Sequence, residues 1–401
     1  MIRVSTANMY QNNQMGLNAD QAALINSVAQ LSSGKQLNSP MDNPVGAAQA
    51  SLLQSDVSAL GQYKTNQTQA TQLLNNASST MTQAINVMQT VRTNLVQAGN
   101  GTLNDSDRGA IAAQLQQSLD QLVGLANTSD GQGGYLFGGS ANSSVPFTQT
   151  GNVVTYNGDN LAQGLQISQT RSEQVKYPGA GVFLQVPTGN GSFVTAAGGS
   201  NAGSGVISAG TVTNPASLTG DNYTIQFSSP TAYTVVDTTK TGSPVVTSGT
   251  YSSPTTISFD GMQMSISGAP AATDTFSVGP SGFQSMFTNI ASAIAALKTP
   301  TTTPASVTAR SAAITTALGG TDQAITSLST TQSSMGAQLA ELDTYASINS
   351  DQNLQDQTQI SSIVDLDYAK GASQLSQQQT QYQAALQSYS AVSKLSLFNY
   401  M

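Results

Sequence analysis

Leu53, Leu60, Leu74, Met81, Met88 and Leu95 stand on one register of seven, interrupted only at Gln67. Tyr63, Ala70, Ala77, Ala84, Val91 and Ala98 hold a second register three residues further on. Spacings that alternate between three and four over this length are the a/d seam of a coiled coil, and no other feature constrains the chain as strongly. Large side chains on one register and mostly Ala on the other suit a close helix approach. A seam this long needs a partner, and the C-terminal arm offers one. There Val307, Ile314, Leu328, Met335 and Leu342 share a register, with Thr321 in its gap. Leu318, Ile325, Leu339 and Ala346 share another, with Gln332 as its polar interruption. Gly319-Gly320 lies inside this second seam, and each Gly costs about 1 kcal/mol relative to Ala, which predicts a kink or local break.

Between the arms the composition changes. Residues 131–281 hold 23 of the 36 Gly and 9 of the 13 Pro, residues that interrupt helices, so strands and turns are expected there. An insert that leaves and re-enters at one end of the bundle makes the two arms antiparallel. The expected fold is mainly α with an inserted β domain: an elongated antiparallel helical coiled-coil bundle formed by the N- and C-terminal arms, and a β-rich central module. Its expected divisions are 1–45, 46–130, 131–281, 282–350 and 351–401.

Two shorter helices complete the bundle. Ile111, Leu115, Leu122 and Leu125 share a face after Asn104-Asp105-Ser106-Asp107, which offers N-cap oxygens. Phe283, Phe287, Ile290, Ile294 and Leu297 form a second stripe, which TPTTTP at 299–304 must end. The outermost segments carry thinner stripes: Tyr10, Leu17, Leu24 and Leu31 in front, and Tyr368, Leu375, Tyr382 and Tyr389 behind. Helices with so little apolar surface are marginal alone, so both ends are expected to be mobile in the free monomer. In the middle, Tyr223, Ile225 and Phe227 alternate. Asp260-Gly261 predicts a hairpin that pairs Phe259 with Met262 and Ile257 with Met264.

His, Cys and Trp are absent, so no thiol nucleophile, imidazole base, haem pocket, iron–sulfur cluster or ordinary zinc site can be built. The 8% of charged residues sum to −8 with no basic block, which argues against nucleic acid. The apolar runs are too short to span a membrane, and no cleavable secretory signal is expected at the start. Asp105 and Asp107 look like the opening of a calcium loop but lack its later ligands, so N-capping accounts for them better. The pairs Glu341/Asp343 and Asp365/Asp367, two apart on helices, point to different faces. Clusters such as GQGG at 131–134 and GGSNAGSG at 198–205 lack the setting of a phosphate loop and are expected to be turns or flexible loops. No catalytic, cofactor-binding or metal-binding residue is expected.

The two ends resemble one family. LSSGKQLNSPMDNPVGAAQA at 31–50, QTVRTNLVQAGNGTLNDSDRGAI at 89–111 and DLDYAKGASQLSQQQTQYQAALQSYSAVSKLSLFNYM at 365–401 are similar to the conserved arms of the bacterial flagellins. Within that family MIRVST, GGYLFGG and LSLFNYM resemble the subunits that join hook to filament. The resemblance implies an uncleaved signal, export of the unfolded chain through the flagellar type III apparatus, and a place in the extracellular flagellum. It also implies self-association into a ring, contact with a neighbouring hook-associated protein and with flagellin, and a cytoplasmic export chaperone. Assembly would then rest on Leu17, Leu24, Leu31, Tyr368, Leu375, Tyr382 and Tyr389 in the two terminal helices. Gln89, Val91 and Arg92 match an immune-receptor epitope of the family, whereas Thr90 and Thr93 replace its other charged positions. Two other readings stand beside it: a filament-forming flagellin, and an exported adhesin or enzyme acting through residues 140–281.

Overall fold

The computed structural model describes residues 6–140, 144–300 and 303–394. MIRVS at the start and LSLFNYM at the end lie outside the described residues. Six α-helices carry the two arms: α1 (Thr6–Ser33), α2 (Pro44–Ala98), α3 (Asp105–Ala126), α4 (Met286–Lys298), α5 (Pro304–Val364) and α6 (Tyr368–Lys394). The chain forms two compact units, one of residues 1–66 with 344–401 and one of residues 67–343. The dividing points lie inside α2 and α5, away from the expected divisions near 45 and 350 and from the composition changes at 131 and 281. A helix continues its backbone hydrogen-bond ladder past the point where its side-chain packing changes, so composition does not mark that point.

The larger unit contains the heptad core. Leu74, Met81, Met88 and Leu95 are buried together with Ala70, Ala77, Ala84, Val91 and Ala98. From α5 come Ile314, Leu328, Met335 and Leu342. The second α5 register differs from expectation. Leu318, Ile325 and Leu339 are half-buried, and the 3-4 alternation runs instead through Ala317, Thr321 and Ala324. One residue turns a side chain about 100° around the helix. Small residues are the fully buried ones here, and the larger ones beside them are only partly covered. Gln332 Nε2 donates to Thr82 Oγ1 at 2.7 Å, and Arg92 Nε pairs with Asp322 at 2.7 Å. Rising positions on α2 meet falling positions on α5, so the helices are antiparallel.

Gly319-Gly320 does not break α5, which continues through both. At Gly320 a Cβ would come within 2.6 Å of Asn289 Oδ1 on α4, so the residue permits a close helix approach. Asn289 Nδ2 donates to Ala317 O at 2.9 Å and to Thr321 Oγ1 at 3.2 Å, which gives the polar residue in the α5 seam its partner. Asn104 caps α3 in a reciprocal box with Asp107, as helix termini with orphan N–H groups favour. Phe283 lies outside the α4 stripe. It sits in a strand before Ser285, the N-cap, and is 72% exposed, while Phe287, Ile290, Ile294 and Leu297 are buried.

The insert begins with two hairpins, β1 (Phe147–Thr150) with β2 (Val153–Tyr156) and β3 (Gln163–Gln166) with β4 (Ser172–Lys176). Phe137 and Phe183 meet edge to face with ring centres 5.2 Å apart, and Phe147 packs on Phe287 of α4 at 5.3 Å. This aromatic cluster buries the Leu136-Phe137 core of GGYLFGG. Then follow β5 (Val186–Pro187), β6 (Phe193–Ala197), β7 (Val206–Ile207), β8 (Thr211–Val212), β9 (Tyr223–Ser229), β10 (Ala232–Asp237) and β11 (Val245–Thr250). The last are β12 (Thr255–Phe259), β13 (Met262–Ser267), β14 (Thr275–Pro280) and β15 (Phe283–Gln284), which pairs with β5. Two antiparallel sheets, ordered β11-β10-β9-β14-β6 and β12-β13-β7 with β8 also on β13, share one core. Tyr223, Ile225, Phe227 and Phe276 from the first meet Ile257, Met264 and Ile266 from the second. The β12–β13 turn at Asp260-Gly261 pairs Phe259 with Met262 and Ile257 with Met264, both turn residues having positive φ.

Candidate assembly surface

The smaller unit is built from α1, α6 and the adjoining ends of α2 and α5. At its centre is the turn within the sequence signature at 31–50. Gly34 has φ +70°, and a Cβ there would lie 2.8 Å from Tyr368 Oη, so only Gly lets the turn close beneath the tyrosine. Asp42 accepts from the backbone N–H of Asn38 and Ser39 at 3.1 and 2.8 Å. Asn43 accepts from Gly46 N at 3.0 Å and thereby caps α2, with Pro44 at its first turn. The turn is stitched to the α5–α6 link: Gln36 N donates to Val364 O at 2.8 Å and Leu366 N to Gly34 O at 2.8 Å. Gln36 Nε2 also reaches Ser362 O and Ile363 O at 2.9 and 3.0 Å. Asp367 caps α6 by accepting from Ala369 N and Lys370 N.

From this anchor α1 and α6 run as an antiparallel pair, with the Tyr10 and Tyr389 hydroxyls hydrogen-bonded near the other end and their rings 5.4 Å apart. That bond holds the Tyr389 hydroxyl above its ordinary pKa. Leu17, Leu24 and Leu31 of α1 and Leu375, Tyr382 and Tyr389 of α6 are all half-buried, and Tyr368 is 60% exposed. Leu53 and Leu60, at the start of the α2 seam, are half-buried as well.

Among the described residues of this unit, no apolar side chain is fully buried; its buried side chains are those of Asn349 and Asp356. Met15, Ile25, Met41, Val45, Leu52 and Leu354 are exposed, Met41 by 89% and Val45 by 78%. These residues fall off the heptad registers; their signal in the sequence is apolar type in an otherwise Gln- and Ser-rich helix or turn.

In the larger unit the acids of the insert each serve local structure. Asp274, 1% exposed, accepts from Ala202, Gly203 and Ala271 N, so the glycine-rich loop at 198–205 is clamped rather than loose. Asp130 accepts from Gln132 and Gly134 N and pairs with Lys176 at 2.6 Å, which orders GQGG in the same way. Lys176, Gln132 and Gly134 hold the Asp130 carboxyl below its ordinary pKa against the opposing effect of burial. Asp159 holds Ser140 and Leu161, Asp237 and Asp221 share Lys240, and Asp260 accepts from Tyr223. Among the described residues no group of three or more acids could hold a metal ion, and no helix is long and apolar enough to cross a membrane. Of the epitope positions, Val91 is fully buried and Arg92 is paired with Asp322.

Comparison with known proteins bears on the same two ends. Residues 4–142 match the bacterial flagellin N-terminal helical region, and residues 318–401 match the flagellin C-terminal helical region. The crystal structure of Xanthomonas campestris FlgL superposes with a TM-score of 0.69 at 31% identity, covering 76% of this chain and 98% of that one. The chain belongs to the flagellin family, in its hook-associated protein 3 (FlgL) branch. Flagellar hook-associated protein 3 of Salmonella typhimurium is 27% identical over 99% of both chains. The flagellar junction protein FlgL of Legionella pneumophila has a TM-score of 0.68 at 28% identity, covering 79% of this chain and all of that one. Within the insert, residues 196–280 match a D2-like domain of flagellar hook-associated protein 1. These relatives carry the names of flagellar hook-associated and junction proteins.

Proposed function

We propose that this protein is a structural adaptor of the bacterial flagellum that joins the hook side to the flagellin filament through its terminal helices. The observation that carries this reading is the contrast in burial. α1 and α6 place seven apolar heptad residues on a shared face, yet none of Leu17, Leu24, Leu31, Leu375, Tyr382, Tyr389 or Tyr368 is fully covered in the single chain. Fully burying a side chain of this size stabilises by about 1.5–3 kcal/mol relative to exposure. Completing a half-made burial against neighbouring subunits therefore adds about 1 kcal/mol per residue to helices that are already paired in the single chain.

Self-association into a ring, with a hook-associated neighbour on one side and flagellin on the other, follows from the same surface. Low charge helps, since few ions must be desolvated or repelled when copies pack together. Outside the cell the chain would reach this site by export through the flagellar type III apparatus, its C-terminal region held beforehand by a cytoplasmic chaperone. The disulfide-free sequence is compatible with that route.

Deletion of residues 365–401 tests the reading. The larger unit should keep its secondary structure and cooperative melting, while cells should stop at a bare hook and shed flagellin. Normal filament attachment in that deletion would defeat it. Long filaments grown from the purified intact protein alone would favour a flagellin over an adaptor.

A further inference from the structure

The polar interruption of the α2 seam marks the place where the bundle meets a small hairpin. Gln67, 5% exposed, points its amide at the turn between β3 and β4, and Nε2 donates to Ile167 O at 2.9 Å. Arg171 closes that turn by accepting from Ile167 N at 3.0 Å. Its guanidinium pairs with Glu341 of α5 at 2.8 Å and with Glu173 of β4 at 3.4 Å. These are the only two glutamates in the sequence. Tyr177 Oη, just past β4, donates to Gln338, almost one turn before Glu341. One hairpin thus grips both long helices, α2 at residue 67 and α5 at residues 338–341.

All these residues belong to the larger unit, which begins at Gln67 and ends at Asp343. Among the described residues, every fully buried apolar side chain in the molecule lies between Ala70 and Leu342. The grip and the end of the apolar core coincide. Local sequence logic alone would favour Leu at position 67, where it would complete the register of Leu60 and Leu74. Gln there makes sense only as a contact to the hairpin.

We propose that the hairpin of residues 163–177 is a clasp that closes this end of the bundle and sets the limit of its cooperatively folded core. Its use in assembly, insulating the core while the outer helices gain order, rests on the junction reading. The clasp itself is a property of the free monomer and fails or stands without it.

Hydrogen exchange read by mass spectrometry on the full-length monomer at neutral pH provides the test. Gln67→Leu should raise exchange of amides at 165–177 and 336–342 about tenfold, the scale of losing a buried hydrogen bond, although it completes the heptad. Unchanged or greater protection in Q67L overturns the proposal. Arg171→Ala, which leaves the seam untouched, should produce the same local loss, and the second change Glu173→Gln should recover much of it by removing a buried carboxylate without its cation. A loss in R171A that E173Q does not reduce, or an equal loss in the exposed control Thr170→Ala, also overturns it.

Discussion

The two compact units use the same helices, α2 and α5, and differ in what those helices cover. In the larger unit α2 turns Leu74, Met81, Met88 and Leu95 into a closed core, each fully buried. In the smaller unit the same register, at Leu53 and Leu60, is only half-covered. Heptad periodicity is therefore not a measure of burial. It states which face seeks a partner, and the number of partner elements decides whether the face is closed. In the larger unit that face is fully buried, whereas in the smaller one, which also contains α1 and α6, it stays half-covered.

That contrast can be broken at its strongest point first. Met81→Ala should destabilise the larger unit by about 2–5 kcal/mol, measured by urea unfolding followed by circular dichroism. A loss below about 1 kcal/mol would mean that the core is not as closed as its burial implies. Asp274→Ala should come next, at about 2–3 kcal/mol. It strips three backbone N–H groups of their shared acceptor and should accelerate exchange across 198–205. Leu24→Ala should cost the monomer less than about 1 kcal/mol, because the side chain is half-exposed, yet should impair filament attachment in cells. A large monomer defect with normal motility would reverse the proposed division of labour.

The smallest effect concerns Glu173. Burial, with the Glu341 charge adding to it, raises its pKa above the ordinary carboxylate value, against the lowering effect of Arg171. A raised folded pKa means that the protonated form is favoured by the fold. Its stability contribution is therefore fully present below the ordinary value and is lost as pH rises through the folded one. Glu173→Gln should raise the melting temperature modestly at pH 7, and the difference should shrink as pH falls below the carboxylate range. A lower melting temperature at pH 7 would show that the pair with Arg171 outweighs the cost of burying the charge.

Much of this architecture is legible in the sequence. The seam residues from Leu74 to Leu95, the β12–β13 turn with its pairing of Phe259 and Met262, and the Asn104 cap are local patterns. Their physics is contained in a few consecutive residues. Less legible were the second α5 register, where Ala317 and Ala324 rather than Leu318 and Ile325 lie innermost, and the unbroken helix through Gly319-Gly320. In both cases the deciding fact is the approach of another element, α4 to Gly320 and the neighbouring helices to the alanines, and no local propensity records it.

The sequence by itself determined which faces are apolar, where helices and strands alternate, and, through its terminal signatures, the family. Only the tertiary structure decided which of those faces are closed. Gln67 meets Ile167 across 100 residues, Gly34 lies under Tyr368, and Gly320 faces Asn289. Periodicity is set by the pitch of one helix, but closure depends on which distant segments come together, and that is a property of the packed chain.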